Sequence, residues 1–212
     1  MIITKIKRIR SKRAQYNVFL DDGQAIELSS WTIGKFGLCT GDKLDEQTFE
    51  KIKRTEQEIK AKNIAVNYIS YRPRSSKEVI VHLTKKGFES GCAQNVARQL
   101  ESIKMIDDKK FAYAFARDRI KKKPIGQALL RRQLLMKGIP AATADNILAE
   151  LITPQIQQAS ALQAAKRKIQ SAKRMRSRVD PVKQKKRVLD FLIRRGFSYE
   201  IAMKTVHTTM DN

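Results

Sequence analysis

The sequence predicts a mainly α protein: tandem three-helix modules in an elongated, curved array, behind a small N-terminal antiparallel β segment. Three observations predict it. A helix ending in basic–glycine–hydrophobic occurs three times, as Leu83-Thr84-Lys85-Lys86-Gly87-Phe88, Leu134-Leu135-Met136-Lys137-Gly138-Ile139 and Leu192-Ile193-Arg194-Arg195-Gly196-Phe197. Aligned on the glycine, Leu83, Leu134 and Leu192 stand four residues before it and Val79, Leu130 and Val188 eight before it, all on one helix face. Ala93, Ala144 and Ala202 stand six after it, on the helix that follows. The glycine supplies the left-handed residue past the helix end, and the cation before it suits the negative pole of the helix. The glycines are 51 and 58 residues apart, a loose period of supersecondary size.

The elements follow in order. Residues 1–60 read as a β segment plus a helix. Ile2 to Ile9 alternates apolar with basic residues, Tyr16 to Leu20 is a second strand, and Ala25 to Leu28 returns after the hairpin signal Asp21-Asp22-Gly23-Gln24. Trp31 to Leu38 reads as a short helix or an irregular segment. Asp45 caps a helix from about Glu46 through Phe49 and Ile52 to Ile59.

The first module spans about 61–107. Its opening helix carries Ile64, Ala65, Tyr68 and Ile69 and stops before Arg72-Pro73, since a residue preceding proline leaves the α region. Ser75 and Glu78 form a capping box for the second helix. The third, about 90–104, presents Ala93, Val96, Ala97, Leu100 and Ile103.

The second module spans about 108–153. Asp107 caps a helix closed by Lys121-Lys122-Lys123-Pro124, and helices over 125–137 and 141–151 follow. The third spans about 154–212. A long helix near 156–177 places Leu162, Ala165, Ile169, Ala172 and Met175 on one stripe. Asp180-Pro181 starts the next helix, and the last frays near Thr208. A three-helix unit of under fifty residues buries a small core, so neighbouring modules must share surface.

The chain carries 44 Lys and Arg against 21 Asp and Glu, a net charge of +23. The excess rises along the chain, from +3 over 1–60 to +4, +6 and +10 over the successive modules. An anionic partner is therefore expected. The two cysteines, Cys39 and Cys92, form no metal or redox spacing and fit a reducing cytosol. No apolar run is long enough to cross a bilayer, so no membrane partner is expected. His82 and His207 are far apart, no phosphate loop is present, and Asp107-Asp108 at a helix start reads as a cap. These absences point away from an enzyme and from any cofactor.

The basic clusters are the positive signal. Arg72 and Arg74 flank Pro73. Arg117, Arg119, Lys121, Lys122 and Lys123 crowd one helix end, and Arg131 and Arg132 stand on the next. Arg167, Lys168, Lys173, Arg174, Arg176 and Arg178 line the long helix, followed by Lys185, Lys186, Arg187 and Arg194. Together they suit a row of phosphates. Lys86, Lys137 and Arg195 have a structural role as partners of helix ends. Tyr16, Tyr71, Tyr113 and Tyr199 are the candidates for base stacking, and each suits the core equally well.

The stretch Tyr68-Ile69-Ser70-Tyr71-Arg72-Pro73-Arg74-Ser75-Ser76-Lys77-Glu78-Val79 resembles the opening motif of the RecX family of recombinase regulators, as does Leu-x-x-Lys-Gly-Phe at 83–88. Ile106-Asp107-Asp108 through Phe111-Ala112-Tyr113-Ala114-Phe115-Ala116-Arg117-Asp118-Arg119 is similar to the central signature. Lys123-Pro124-Ile125-Gly126, Leu130-Arg131-Arg132-Gln133-Leu134 and Lys137-Gly138-Ile139 continue it. The resemblance is close over 63–152, looser in the third module and weak over 1–50. It implies a cytoplasmic bacterial protein that binds the RecA recombinase filament and restrains it; DNA, single- and double-stranded, is the anion the basic clusters suit, and a monomer is expected. The resemblance further implies placement in the groove of the RecA–DNA filament and inhibition of ATP hydrolysis, filament extension and strand exchange, within recombination, DNA repair and the SOS response. The composition by itself names only an anion, and a general DNA- or RNA-binding protein with helix-turn-helix-like modules is the alternative. Reversing Arg131 and Arg132 to Glu is expected to weaken inhibition without unfolding the chain.

Overall fold

A computed structural model describes residues 1–10, 14–174 and 180–210. Among them the chain forms three strands and then ten helices. Two compact units result, one of residues 1–72 with 79–105 and one of 73–78 with 106–212.

The first unit opens with a three-stranded antiparallel sheet in the order β1 (Ile3–Arg8), β2 (Gln15–Leu20), β3 (Ala25–Ser29). Ile6 faces Val18, and Val18 faces Ile26. The turn forms at the expected Asp-Asp-Gly, with Gly23 at φ 84°. One face of the sheet buries Ile3, Val18, Leu20 and Leu28 with Phe49 and Ile52, which gives this small sheet the helix it needs to be stable.

Trp31 to Leu38 resolves into a short helix, α1 (Ser30–Phe36), ended by Gly37 at φ 61°. The buried carboxylate of Glu56 accepts hydrogen bonds from Ser29 N (2.9 Å), Ser29 Oγ (2.9 Å) and Thr32 Oγ1 (2.6 Å). Glu56 lies on α2 (Glu46–Ser70), so this network pins the start of α1 to that helix.

α2 is one continuous helix of 25 residues, where the sequence reading places two. Residue 60 lies inside it. No glycine or proline interrupts Glu46–Ser70, and Asp45 caps it by accepting from Thr48 N at 2.6 Å. α3 (Ser76–Lys85) carries the expected capping box: Glu78 N donates to Ser75 Oγ, and Ser75 N donates to Glu78 Oε2. α4 (Ser90–Ser102) packs on α2 and buries Ala93, Val96, Ala97 and Leu100.

The second unit holds α5 (Asp108–Lys122), α6 (Gln127–Met136), α7 (Ala141–Leu151), α8 (Pro154–Arg174), α9 (Pro181–Arg194) and α10 (Tyr199–Met210). Phe111, Ala116, Leu130, Leu134, Ile147 and Leu148 form the core of the first three. Ala161, Ala164, Ala165, Val188, Leu192, Phe197 and Val206 form that of the last three. The buried face of α8 is thus its alanines. Leu162, placed on the core stripe from sequence, is half-buried, because close helix packing selects the smallest side chains. Met175 lies outside the described residues. α10 continues to Met210, past the fraying point expected at Thr208. The hydroxyls of Thr205, Thr208 and Thr209 each bond back to the carbonyl four residues earlier.

Gly87, Gly138 and Gly196 lie at φ 92°, 86° and 84°, the left-handed conformation read from the motif. In each copy the glycine N–H and the next N–H bond back into the last helical turn, as Phe88 N to Leu83 O, Ile139 N to Leu134 O and Phe197 N to Leu192 O.

Candidate nucleic-acid interface

The basic side chains reach the surface because each helix spends its apolar stripe on a small core. On α5, Phe111, Ala112 and Ala116 point inward, which leaves Arg117, Arg119, Lys121 and Lys122 exposed, with Lys123 at the helix end. Proline 124 stops the helix there, so the cations gather beside its C-terminal carbonyls. Arg119 lies over the Phe115 ring at 5.0 Å and Arg117 over Tyr113 at 6.0 Å, four residues apart in each case. Aromatic faces thereby hold two guanidinium groups on the surface. Lys122 pairs with Asp118 at 2.9 Å.

On α6, Arg132 is exposed, whereas Arg131 is committed. Its Nε and Nη2 donate to the two carboxylate oxygens of Asp145 at 2.6 and 3.0 Å. This paired hydrogen bond raises the arginine pKa and lowers that of Asp145. Arg131 therefore joins α6 to α7, and a double reversal with Arg132 would disturb that link as well as the surface charge.

On α8, Arg167 and Lys168 are exposed, and Lys168 lies 5.6 Å from the Phe191 ring of α9. Lys173 and Arg174 belong to the helical backbone of α8, and their side chains lie outside the described residues, as do Arg176 and Arg178. On α9, Lys186, Arg187 and Arg194 are exposed and Lys185 is half-buried. Arg72 is exposed in the first unit; Arg74, half-buried, belongs to the second. Of the stacking candidates, Tyr71 is 85% exposed and Tyr199 64%, while Tyr16 and Tyr113 are half-buried.

One pairing was not singled out from sequence. Lys35 lies 4.8 Å from the centre of Trp31, itself 55% exposed. The four-residue spacing on α1 is the signal that could have found it.

Other polar side chains make structural contacts. His82 stacks on Tyr68 with ring centres 3.8 Å apart. Asp107 caps α5 by accepting from Lys110 N at 2.8 Å, and that bond holds its carboxyl below the usual range. Burial, with Glu58 and Glu89 nearby, pushes the Cys92 thiol up, away from the reactive thiolate. Among the described residues no three His, Cys, Asp or Glu side chains group as metal ligands, and no helix is long and apolar enough to cross a membrane.

Fold and surface together define a class: a strongly basic protein built of successive three-helix domains behind a small sheet. Comparison with known proteins agrees in detail. The family models for the first, second and third three-helix domains of RecX match residues 61–100, 107–148 and 155–206. The regulatory protein RecX of Bacillus licheniformis is 30% identical over 208 residues, covering 98% of this chain and 77% of that protein. That of Listeria innocua is 28% identical over 215 residues, covering 100% and 77%. A crystal structure of a regulatory protein RecX matches with a TM-score of 0.72 at 24% identity, over 99% of this chain and 98% of the other. RecX from Lactobacillus salivarius matches at 0.61 and 25% identity, over 74% and 98%. The chain belongs to the RecX family.

Proposed function

We propose that this chain is a non-enzymatic regulator that binds the RecA recombinase filament and DNA, and inhibits ATP hydrolysis, filament extension and strand exchange. The observation that carries the reading is membership of the regulatory RecX family across all three helical domains. The surface supplies a physical means. Arg117, Arg119, Lys121, Lys123, Arg132, Arg167, Lys186, Arg187 and Arg194 are exposed cations on a rigid helical scaffold, suited to the phosphates of filament-bound DNA. Arg119 and Arg117 arrive already oriented by the rings beneath them, which lowers the ordering cost of a contact. Lys122, paired with Asp118, and Arg131, paired with Asp145, contribute less. In this reading the chain works as a monomer in the bacterial cytoplasm, with the functional divisions at 61–107, 108–153 and 154–212 behind the segment 1–60.

A general nucleic-acid-binding protein is the second reading, favoured by the net charge of +23 alone. Titrating the chain into preformed RecA filaments on single-stranded DNA separates the two. The regulator reading expects RecA ATPase to fall at protein amounts at or below one copy per recombinase subunit, while an equally basic control protein leaves it unchanged. ATPase that stays level, or falls equally with the control, rejects the regulator.

A further inference from the structure

Two of the three basic–glycine corners are seated on the start of another helix, each through a corner carbonyl and the side chain of the cation before the glycine. At the end of α9, the Arg195 carbonyl accepts from Gly126 N at 2.9 Å and the Gly196 carbonyl from Ala128 N at 3.1 Å, at the start of α6. The Arg195 side chain returns to the same place, donating through Nη2 to the Pro124 carbonyl at 2.6 Å. At the end of α6, the Lys137 carbonyl accepts from Ser75 Oγ at 2.7 Å, at the start of α3, and Lys137 Nζ donates to Glu78 Oε1 at 2.7 Å. In each case a carbonyl at a helix C-terminus meets a donor at a helix N-terminus, so orphan groups of both ends are satisfied. The approach leaves no room for a side chain. A Cβ on Gly196 would lie 2.2 Å from Leu129 N, and one on Gly138 would lie 2.6 Å from the Lys77 Cβ.

The third corner, at the end of α3, has the same backbone and no seat. Lys85, Lys86 and Gly87 are exposed, and nothing among the described residues lies within 4 Å of a Cβ placed on Gly87. Phe88 stays half-buried, whereas its counterparts Ile139 and Phe197 are 2% and 3% exposed. Among the described residues no helix start is hydrogen-bonded to this corner. The start of α9 closes on itself: Asp180 Oδ1 accepts from Val182 N at 2.9 Å, and Pro181 has no N–H to offer. Its Val182 N–H, the counterpart of the Ala128 N–H that meets the Gly196 carbonyl, is thus already taken.

We propose that the Lys86-Gly87-Phe88 corner is a docking surface for the start of an α-helix in a partner protein. That helix would carry a small N-cap residue, as Ser75 and Gly126 do here, and an acceptor for Lys86, as Glu78 and the Pro124 carbonyl are for the seated cations. Resting on the function proposed above, the partner is the recombinase filament, and the contact adds protein recognition to the phosphate contacts of the basic faces.

The test measures binding of the intact chain to RecA filaments on labelled single-stranded DNA, and to the bare DNA. Lys86→Glu reverses the cation. Gly87→Asn keeps a residue that tolerates positive φ and fills the space a seated helix start would occupy. Lys109→Glu, at an exposed position on α5, matches the charge change of the first variant. The expected result is at least a tenfold loss of filament affinity for Lys86→Glu and Gly87→Asn, with Lys109→Glu within about twofold of wild type and all four proteins alike on bare DNA. Filament affinity for Lys86→Glu within twofold of the Lys109→Glu control overturns the docking proposal and leaves the regulator reading standing. A wild-type chain that binds the filament no better than bare DNA overturns both.

Discussion

The corners at Gly196 and Gly87 share a sequence motif, a left-handed glycine and the same backbone hydrogen bonds, yet one is welded to a helix start and the other is open. The difference separates what a sequence dictates locally from what its neighbours dictate. The glycine is needed for its φ in both corners. Only in the seated ones is it also needed for its lack of a side chain.

That comparison can be broken by substitution. The largest effect is expected at Gly126, the other side of the α9 seat, where a Cβ would lie 2.0 to 2.2 Å from the main-chain atoms of Gly196 and Phe197. Neither backbone can move aside, so Gly126→Ala should unseat α9 from α6 and cost about 3 kcal/mol or more in a urea melt. Gly138→Val should follow at about 2–3 kcal/mol, since it combines a β-branched residue at positive φ with a clash against the Lys77 side chain, nearest at its Cβ. Ser75→Ala removes the α3 cap and the donor to the Lys137 carbonyl together, for about 1–2 kcal/mol. Gly87→Ala should be the mildest, about 1 kcal/mol of backbone strain alone. A Gly87→Ala loss equal to that of Gly126→Ala would show that the open corner is not open.

Acid supplies a smaller and more diffuse effect. Backbone donors lower the pKa of Asp21, Asp45 and Asp107, and the Arg131 side chain lowers that of Asp145. A carboxyl whose folded pKa lies below its unfolded value stabilises fully above the unfolded pKa, about 4, and loses that contribution as pH falls through the folded value. Melting temperature should therefore hold level from pH 7 to about 5 and fall below pH 4. Asp145→Asn should flatten part of that fall.

The helices were legible in the sequence because their signals are local. The Ser75–Glu78 box, the Asp45, Asp107 and Asp180 caps and the three glycines each act within a turn of where they stand. The sequence reading ends one helix near Ile59 and starts another after it, whereas no helix breaker stands between Glu46 and Ser70 and the two are one. Contacts between distant segments were not legible. Arg131 and Arg132 look alike on paper; only the fold brings Asp145 against the first. Likewise no spacing rule tells which helix start will meet a corner, and the Glu56 network joins residues 24 and 27 positions apart.

In the function proposed here the exposed cations bind DNA with or without a recombinase, so the separation of those two roles is the central claim. The most direct measurement compares affinity for bare single-stranded DNA with affinity for RecA filaments on the same DNA as salt is raised. Counterion release makes the bare-DNA affinity fall steeply with the logarithm of salt concentration. The account predicts that filament binding falls with a shallower slope and persists at salt that abolishes binding to bare DNA. Equal slopes and equal affinities at every salt concentration would contradict it and leave a general nucleic-acid-binding protein.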